Sequence, residues 1–443
     1  HMPSINDLGL QKEQLFERGQ RACAGCGATV AIHLLLDAIG KDCIVVNATG
    51  CMEIVSSPYP ESAWNVPYIH ANFENAAAVA SGISRALKTQ GNNHTKVVVI
   101  AGDGSTYDIG FGVLSGMLER NEDVLYICYD NEAYMNCLSL DSLIYTKEGL
   151  KKITEVKLGD SVYAFNQQNR KLVLKKCSGV FDNGVKKVYE LATLHHSIKA
   201  TSNHPFLTIS KQGKFVWKEL SELKIGEEVV TLKELKEGSS ESFTSEKVVS
   251  IKFVKEEPTL DLRVEGEHNF IADGIVVHNT GVQRSSATPL FAHTTTSKVG
   301  GKFKGKQEVK KPIFEIVIAH GIPYAASTSI AYPFDIYNKV KKALAIEGSR
   351  FIAIHAPCVP GWNYPSCKTI EMARLAVDTG MWKMLEFENG KLKITKTPAF
   401  KPLKDYLNAQ KRFGHVSEQD IIQMETYIKK EFEKLQKLVE ATK

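Results

Sequence analysis

Between positions 3 and 136, continuous apolar runs alternate with segments of helical spacing. The run "TKVVVIAGDG" at 95–104 ends in glycine, "GFGVLSGMLERN" at 110–121 has helical periodicity, and "EDVLYICYDN" at 122–131 is a second apolar run. Continuous apolar runs of this length are typical of strands buried on both faces of a parallel sheet. The order strand, helix, strand therefore predicts a βαβ unit, whose ligand sites lie at the carboxyl ends of its strands.

The pattern changes at residue 137 and stays different through residue 279. Short β-branched segments such as "DSVYAFN" and "EKVVSIKFV" alternate there with turn signals such as "DNG", which predicts an all-β segment. A stretch rich in serine and glutamate at 233–247 is predicted to be a surface loop. The α/β pattern resumes at 280, so we predict one discontinuous α/β domain, residues 3–136 and 280–443, interrupted by the segment 137–279.

The chain is predicted to close with a helix from about 417 to 441. "SEQD" at 417–420 fits a capping box, in which the first and last residues of the tetrapeptide satisfy each other's backbone N–H groups. Apolar residues at helical spacing predict one packing face: Ile421, Met424, Ile428, Phe432, Leu435 and Leu438.

Composition and charge limit the classes of protein that remain. The sequence has no run of about 18 apolar residues and no signal-peptide pattern, so we expect a cytoplasmic protein with no membrane contact. A net charge of +5 is small for 443 residues and argues against a nucleic-acid partner. The basic stretch at 298–311 is interpreted as a solvated loop, with a site for an acidic partner as the alternative.

Polar residues follow both apolar runs at their carboxyl ends. Gly102, Asp103 and Gly104 end the first run, and Asn131 ends the second. A GDG triplet alone is weak evidence because both residue types are common in turns. However, glycines let the backbone approach a diphosphate, and carboxylate and amide oxygens are ligands that Mg²⁺ prefers. The spacing resembles the thiamine diphosphate motif, which implies Mg²⁺ held by Asp103, the Asn131 side chain and the backbone carbonyl of Ala133.

Four of the nine cysteines lie in short glycine- or proline-containing motifs. Cys23 and Cys26 form C-x-x-C in "CAGCG", Cys51 lies in "ATGCM", and Cys358 lies in "HAPCVPGW". In a reducing compartment, four thiolates suit either zinc or an iron-sulfur cluster, and their spacing does not decide between the two.

These motifs, together with "SAWNVPYIHANFENAAAVASGI" at 62–83, resemble the β subunit of pyruvate:ferredoxin oxidoreductase over residues 3–136 and 280–443. The resemblance implies a thiamine diphosphate-binding α/β fold and one 4Fe-4S cluster held by the four cysteines. It implies oxidative decarboxylation of pyruvate, with coenzyme A as acetyl acceptor and ferredoxin as electron acceptor. It also implies α and ferredoxin-like partner subunits, and it places Asn136 close to the cofactor and substrate.

The residues at the ends of the inserted segment have complementary reactivity. The segment begins with Cys137 and ends with Asn279, directly before Thr280. The Cys137 thiol can attack the carbonyl of Asn136 and convert that peptide bond into a thioester. The Thr280 hydroxyl can then take over the acyl group, and Asn279 can cyclise and cut the chain. The segment would leave, and Asn136 would be joined to Thr280.

Two blocks inside the segment resemble those of an intein, a self-splicing element of the Hint fold. "TSNHPF" at 201–206 resembles the family's T-x-x-H block, which implies that Thr201 and His204 polarise the N-terminal scissile peptide. "LDLRVEGEHNFIADGIVVHN" at 260–279 resembles the C-terminal block.

By position in the C-terminal block, the resemblance implies that Asp261 couples the two cleavages, His268 assists Asn279 cyclisation and His278 polarises the final carbonyl. The segment 137–279 is too short for an intein that carries a homing endonuclease, and most of the chain is left for the host. We therefore predict a mini-intein. Three residues outside the matched blocks receive no role: Cys177, His195 and His196.

Three alternatives stay open at this point. The insertion could be a β domain that does not splice. The host could be the β subunit for another 2-oxo acid. The four cysteines could instead hold zinc in an α/β protein without enzymatic activity.

Overall fold

The computed structural model describes residues 13–443, except 19, 21, 58–61, 133, 136–137, 203, 211, 268, 279–281, 295–296, 298 and 301–302. For 134–135, 178–179, 181–186, 258, 263, 282–283, 300 and 303 only the backbone is described. The chain forms two compact units, one from His1–Tyr134 with Gln283–Lys443 and the other from Met135–Val282. The predicted junction residues 136, 137, 279 and 280 lie outside the described residues, so the ends of the inserted segment stay a prediction.

An eight-stranded sheet forms the centre of the first unit, which we call the host unit. The first six strands are parallel to one another, and the last two pair antiparallel. Leu125–Asp130 pairs with Arg350–His355, so neighbouring central strands come from opposite sides of the insertion in the sequence. The strands occur in the order Tyr68–Ala71, Cys43–Ala48, Lys96–Gly102, Leu125–Asp130, Arg350–His355, Tyr324–Ser329, Met384–Glu388 and Lys391–Lys396.

Alternate residues of the strand Lys96–Gly102 face two separate apolar cores. Val97 and Val99 belong to one core, whereas Val98 and Ile100 belong to the other. Both faces of this strand are therefore buried, which explains why its sequence is a continuous apolar run. The predicted parallel sheet with flanking helices is confirmed.

Helices cover both faces of this sheet. The predicted helix at 110–121 corresponds to the α-helix Phe111–Glu119, which follows a π-helical segment, Gly104–Ile109. The α-helices of the host unit are Gly27–Ile39, Cys51–Ser56, Ala76–Thr89, Phe111–Glu119, Ile313–Ile318, Pro333–Leu344, Val359–Trp362, Thr369–Asp378, Leu403–Asn408 and Glu418–Ala441. Short 3-10 turns occur at Ser366–Lys368 and Lys411–Phe413, and Val299–Gly300 pairs with Phe303–Lys304.

The final helix, Glu418–Ala441, begins at the predicted capping box. Ser417 accepts a hydrogen bond from the backbone N–H of Asp420, and the Asp420 carboxylate accepts one from the backbone N–H of Ser417. The predicted packing face is correct for five of its six residues, but Leu438 is 38% exposed because the helix extends past the core it covers.

The second unit, Met135–Val282, is a curled antiparallel β domain built on a 13-stranded sheet, and the predicted all-β insertion is confirmed. Its two longest strands, Lys171–Ala192 and Ser250–Val264, pair along most of their length. The predicted loop at 233–247 is wrong for its last part, because Phe243–Lys247 forms a strand against Glu228–Leu232. The apolar Phe243 at the start of this strand packs on Phe165 with ring centroids 4.6 Å apart. A prediction from the polar composition of the stretch does not include this contact.

The main path of this sheet runs through Ser197–Thr201, Leu138–Ser139, Ser250–Val264, Lys171–Ala192, Ser161–Asn166, Leu143–Thr146, Asn269–Ala272, Ile275–His278, Pro205–Ile209, Glu228–Leu232 and Phe243–Lys247. Phe215–Glu219 pairs with Pro205–Ile209, and Gly149–Lys152 pairs with Leu143–Thr146. Short 3-10 turns occur at Ile153–Glu155 and Leu220–Glu222, and the short strands Tyr134–Met135 and Val282–Gln283 pair with each other. No helix among the described residues is both long and apolar enough to cross a membrane.

Candidate functional sites

The predicted diphosphate site lies where two neighbouring parallel strands of the host unit end. Gly102 is opposite Tyr129 in this strand pair, and a Cβ atom at Gly102 would lie 3.2 Å from the Tyr129 ring. The backbone N–H of Asn131 donates to Oδ1 of Asp103 at 3.4 Å, and the Ser285 hydroxyl donates to Oδ2. The structure therefore brings Asp103 and Asn131 together, while Ala133 lies outside the described residues.

Asp103 is almost fully buried, with 1% of its surface exposed. Burial and the neighbouring charge of Asp130 raise the pKa of the Asp103 carboxyl well above its usual value. Gly104, the third residue of the triplet, begins the π-helical segment Gly104–Ile109, which carries the chain away from the strand end. A buried carboxyl at this position is an oxygen donor that a cation would convert to its ionised form.

Asp130 is a buried residue that the sequence prediction missed. The Tyr107 hydroxyl donates to its Oδ2 atom at 2.6 Å, and Lys310 Nζ lies 2.8 Å from the same atom. Burial raises the pKa of Asp130, although the charge of Lys310 opposes this effect. The position of Asp130 at the end of an apolar strand, directly before Asn131, is the signal that could have identified it.

Glu132 extends this cluster of charges into the interior of the host unit. Its carboxylate lies 3.3 Å from Lys310 Nζ and 2.6 Å from a terminal nitrogen of Arg412. Burial alone would raise the pKa of Glu132, but Lys310 and Arg412 outweigh it and lower this pKa to about 2. Burial also lowers the pKa of the nearby His355 to about 3, so its imidazole is neutral at physiological pH.

The interpretation of the basic stretch 298–311 as a solvated loop is wrong for several of its lysines. Lys306 is 4% exposed and donates to the backbone carbonyl of Thr288 at 2.6 Å. Burial lowers its pKa to about 8, with a further contribution from Lys310. Lys311 donates to the backbone carbonyl of Tyr107. These ammonium groups are directed inward because carbonyl and carboxylate oxygens of distant segments lie there.

The four cysteines of the predicted cluster occupy one neighbourhood in the host unit. Burial raises the pKa of Cys358, and the neighbouring cysteines Cys51, Cys23 and Cys26 raise this pKa further. The backbone N–H of Gly27, after Cys26, donates to the carbonyl of Pro357, before Cys358, at 3.3 Å.

A Cβ atom at Gly27 would lie 2.8 Å from backbone atoms of Ala356 and Pro357, so glycine permits this approach of two cysteine loops. Cys51 is the first residue of the helix Cys51–Ser56. Within the described ranges, however, no three or more His, Cys, Asp or Glu side chains already have the arrangement of a metal site. The four thiols therefore fit a thiolate-bound metal in their chemistry, and binding would require adjustment of their side chains.

The predicted N-terminal splicing residues lie in a tight turn of the β unit. Thr201 ends the strand Ser197–Thr201, and the backbone N–H of His204 donates to its carbonyl at 2.9 Å. Thr201 is 5% exposed, and His204 is fully buried. His204 Nδ1 lies 3.8 Å from Oδ2 of Asp261, which belongs to the C-terminal block. Two blocks that are far apart in the sequence thus meet in the interior.

The C-terminal splicing residues are described only in part. His278 ends the strand Ile275–His278 and is opposite Asn269 in the neighbouring strand. Its ring contacts that of Trp217, with centroids 4.8 Å apart and planes at 81°. Trp217 was not identified from the sequence, because no local pattern connects the two residues. The remaining predicted residues of the reaction, Asn136, Cys137, His268, Asn279 and Thr280, lie outside the described residues.

Two histidines that received no role from the sequence converge on one carboxylate. The Nδ1 atoms of His195 and His196 lie 3.2 Å and 3.1 Å from Oε1 of Glu246. Thr193 donates to the other oxygen of Glu246 at 2.6 Å. Cys177 is buried in the core of the β unit. These contacts fix the surface turn between two strands, and no splicing role follows from them.

Comparisons with known proteins bear on both units. The family model "Thiamine pyrophosphate enzyme, C-terminal TPP binding domain" matches residues 48–158, and the model "Intein splicing domain" matches residues 143–279. The chain is 35% identical to pyruvate synthase subunit PorB of Methanocaldococcus jannaschii over 425 residues, which cover 94% of this chain and 95% of the relative.

The chain is also 31% identical to ketoisovalerate oxidoreductase subunit VorB of Pyrococcus abyssi, over 98% of this chain and 96% of that relative. Among solved structures, a DnaB intein from Synechocystis is 35% identical. That match covers 32% of this chain and 98% of the intein, with a TM-score of 0.29.

Proposed function

Because the chain belongs to the family of PorB and VorB subunits of 2-oxo acid oxidoreductases and contains an intein splicing domain, we propose that it is a precursor with two successive activities. The intein first excises residues 137–279 and joins Asn136 to Thr280. The ligated host protein then takes part in the oxidative decarboxylation of a 2-oxo acid. The buried approach of His204 to Asp261, which connects the two splicing blocks, is the observation that carries the first activity.

Splicing begins at the peptide bond between Asn136 and Cys137. The Cys137 thiol loses its proton and attacks the carbonyl carbon of Asn136, so a thioester forms as the C–N bond breaks. The amino group of Cys137 leaves with a proton. Thr201 and His204 act at this step by polarising the peptide and protonating the departing nitrogen.

The acyl group then moves to Thr280. Its hydroxyl oxygen attacks the thioester, and its proton passes to the Cys137 sulfur as the ester forms. The side-chain nitrogen of Asn279 attacks its own backbone carbonyl carbon, which breaks the bond to Thr280 and leaves a succinimide on the excised segment. The freed amine of Thr280 finally attacks the ester, which restores the hydroxyl and leaves a peptide bond to Asn136.

The C-terminal steps require polarisation of the Asn279 carbonyl, and during splicing they are coordinated with the first cleavage. We assign the polarisation to His278, the assistance of cyclisation to His268 and the coordination to Asp261. Burial raises the pKa of Asp261 well above its usual value, which favours the neutral carboxyl and lets it donate a proton or a hydrogen bond to a neighbour such as His204.

Intact mass spectrometry against time tests this activity. Under reducing conditions the 49.1 kDa chain should yield the excised segment 137–279 and a ligated product roughly twice as heavy as that segment. The variant Cys137→Ala is the matched control and should not give the ligated product. A full-length chain that keeps its mass although Cys137 and Asn279 are unmodified would show that the insertion is a β domain that does not splice.

We infer that the host unit binds thiamine diphosphate with Mg²⁺ at the strand ends that carry Gly102 and Asn131. The support is the contact of Asp103 with the Asn131 backbone and the close packing that Gly102 permits. Asp103, the Asn131 side chain and the Ala133 carbonyl would hold the metal, and the backbones of Gly102 and Gly104 would adjoin the diphosphate. When bound, thiamine diphosphate supplies the carbanion chemistry of decarboxylation.

Titration of the spliced protein with thiamine diphosphate at several Mg²⁺ concentrations tests this site. Asp103→Asn should weaken Mg²⁺-dependent binding at least tenfold, since a charged ligand is replaced by a neutral one. Asp405→Asn, on the exposed surface, is the control and should bind as the parent does. Equal binding by the Asp103 variant would contradict the assignment.

We further infer that Cys23, Cys26, Cys51 and Cys358 hold one 4Fe-4S cluster. The effect of Cys23, Cys26 and Cys51 on the pKa of Cys358 supports a common site. When bound, such a cluster accepts electrons one at a time, so it suits transfer toward ferredoxin. Iron and zinc analysis of the spliced protein, together with anaerobic absorbance, separates this proposal from a zinc site.

We propose pyruvate as the 2-oxo acid, coenzyme A as acetyl acceptor and α and ferredoxin-like subunits as partners. The identity to PorB of Methanocaldococcus jannaschii, 35%, exceeds that to VorB of Pyrococcus abyssi, 31%, which favours pyruvate, and the names of both relatives describe subunits. The test compares kcat/KM for pyruvate and 3-methyl-2-oxobutanoate in the assembled complex. A preference for the branched acid would select the VorB-like alternative.

A further inference from the structure

Trp217 contacts the histidine that precedes the predicted cyclising asparagine. The rings of Trp217 and His278 meet edge to face, with centroids 4.8 Å apart and planes at 81°. This is a geometry that aromatic pairs prefer over face-to-face stacking. The backbone of His278 is held separately, by strand pairing opposite Asn269. Strand pairing fixes the backbone and not the side-chain torsion angles, so the contact with Trp217 restricts the direction in which the ring nitrogens point.

The strand that carries Trp217 also adjoins the N-terminal splicing block. Trp217 is opposite Leu207 on the strand Pro205–Ile209. On that strand, Phe206 is opposite Val277, the residue before His278. The ring of Phe206 also lies with its centroid 5.6 Å from that of His204. Trp217 therefore lies on a strand next to the one that adjoins both splicing blocks. Its ring contact with His278 connects it to the residue proposed to act in the C-terminal step.

We propose that Trp217 is a positioning residue for cleavage before Thr280, and that it acts by holding the imidazole of His278 in the orientation that polarises the Asn279 carbonyl. The inference rests on the proposed splicing function and adds a residue outside the blocks that the sequence matched. An aromatic ring at position 217 is therefore required for one step only, which is cleavage before Thr280. The N-terminal thioester step, which depends on Thr201 and His204, should not require the indole.

The C-terminal step can be measured alone in the full-length chain with Cys137→Ala. There, cyclisation of Asn279 releases residues 280–443 without prior thioester formation. Adding Trp217→Ala should slow this release roughly three- to tenfold, the range expected from loss of one aromatic contact. Trp217→Phe should keep the rate within about twofold of the parent, because a ring remains at the contact. Val216→Ala, whose side chain points to the opposite face of the same strand, is the matched control and should cleave as the parent does.

The rate of the N-terminal step distinguishes the proposed positioning of His278 from a purely structural role of Trp217, because a structural role would slow both steps. In the full-length chain with Asn279→Ala, added thiol cleaves the thioester after Asn136, and Trp217→Ala should leave that rate within about twofold of its parent. Equal slowing of both steps would overturn the inference in favour of a general folding role. If the Cys137→Ala parent cleaves and Trp217→Ala cleaves equally fast, only the Trp217 inference fails. If neither parent cleaves, the proposed splicing function fails and the inference fails with it.

Discussion

Oδ2 of Asp261 lies 3.8 Å from Nδ1 of His204, and both side chains are fully buried. The backbone N–H of Leu262 donates to the other carboxyl oxygen of Asp261 at 2.7 Å. Burial raises the pKa of Asp261, and this backbone hydrogen bond only partly opposes the effect. The pair therefore combines an imidazole with a carboxyl group whose neutral form is favoured.

Asp261→Asn should remove a pH dependence of the stability of the β unit. As pH rises above about 4, the unfolded carboxyl ionises first, so the parent loses stability progressively until its folded pKa is passed. The asparagine variant lacks this loss and should be the more stable protein at pH 8, although its splicing should be impaired. Hydrogen exchange in Ser250–Val264, corrected for intrinsic rates, measures this at pH 5 and pH 8. Both chains should carry Cys137→Ala and Asn279→Ala, and the same pH dependence in both would contradict the prediction.

His204→Ala should slow thiol-induced cleavage after Asn136 by roughly 10²- to 10⁴-fold, the usual contribution of a positioned acid or base. His195→Ala is the matched control, because its side chain is 68% exposed and contacts Glu246 rather than the splicing blocks. Gel analysis of timed samples from the Asn279→Ala chain gives both rates. A similar loss in the two variants would show that His204 acts only through folding.

Arg412→Met should destabilise the spliced protein by about 3–5 kcal/mol, because it removes a partner of the buried Glu132 carboxylate. Glu132 has a lowered pKa, so its contribution is present above pH about 4.5 and is lost as pH falls toward 2. Adding Glu132→Gln should recover part of the loss, as no uncompensated charge then remains. Chemical denaturation at pH 7 measures these differences.

Lys404→Met, which removes a cation from the exposed surface, is the control for that experiment and should change stability by less than about 0.5 kcal/mol. No recovery in the double variant would mean that Arg412 stabilises the host unit through packing on Trp362 instead. The guanidinium carbon of Arg412 lies 4.0 Å from the centroid of that ring.

Cys358→Ser should lower the iron content of the spliced protein from about four atoms per chain to three or fewer, since one thiolate ligand is lost. Cys367→Ser is the matched control, because Cys367 is an exposed thiol close in sequence but outside the predicted set. Iron analysis and the visible spectrum of anaerobically purified protein report the result. An unchanged iron content in the Cys358 variant would exclude this cysteine as a ligand.

The unspliced chain should not oxidise pyruvate even with its partner subunits. The family resemblance places Asn136 near the cofactor and substrate, and the insertion separates it from Thr280. The double variant Cys137→Ala with Asn279→Ala keeps the insertion in place, and ferredoxin reduction in the assembled complex measures its activity. The spliced protein is the positive control. Turnover by the double variant would show that the host site is complete before excision.

The parts of the site that lie within one strand and its following turn could be predicted from the sequence. Gly102, Asp103 and Asn131 follow apolar runs that report burial on both sides of a sheet. Lys310 and Arg412 could not be predicted, because they approach Glu132 from 178 and 280 positions away in the sequence. The composition of a lysine-rich stretch is the same whether its ammonium groups are solvated or contact buried oxygens, so composition alone does not distinguish the two cases.

The splicing residues divide in the same way. The resemblance of two blocks to those of inteins predicted roles for His204, Asp261 and His278, since each role is assigned by position within a block. Trp217 has no such signature, because its significance depends on which strand the fold places beside His278. The strand Phe243–Lys247 could not be predicted for a related reason. The stretch 233–247 is mostly polar, and its composition gives no sign that Phe243 packs on Phe165.

The strand order of the host unit determines what would follow if the chain were cleaved at both junctions without being ligated. Leu125–Asp130 and Arg350–His355 are neighbours in the sheet and lie on opposite sides of the inserted segment in the sequence. If both junctions are cut but the ends are not joined, each piece carries one of these central strands and nothing covalent keeps them together. Separation would then expose two long apolar strand edges, which are templates for aggregation. Under the proposed splicing, ligation would therefore prevent the formation of an insoluble pair of fragments as well as produce an enzyme subunit.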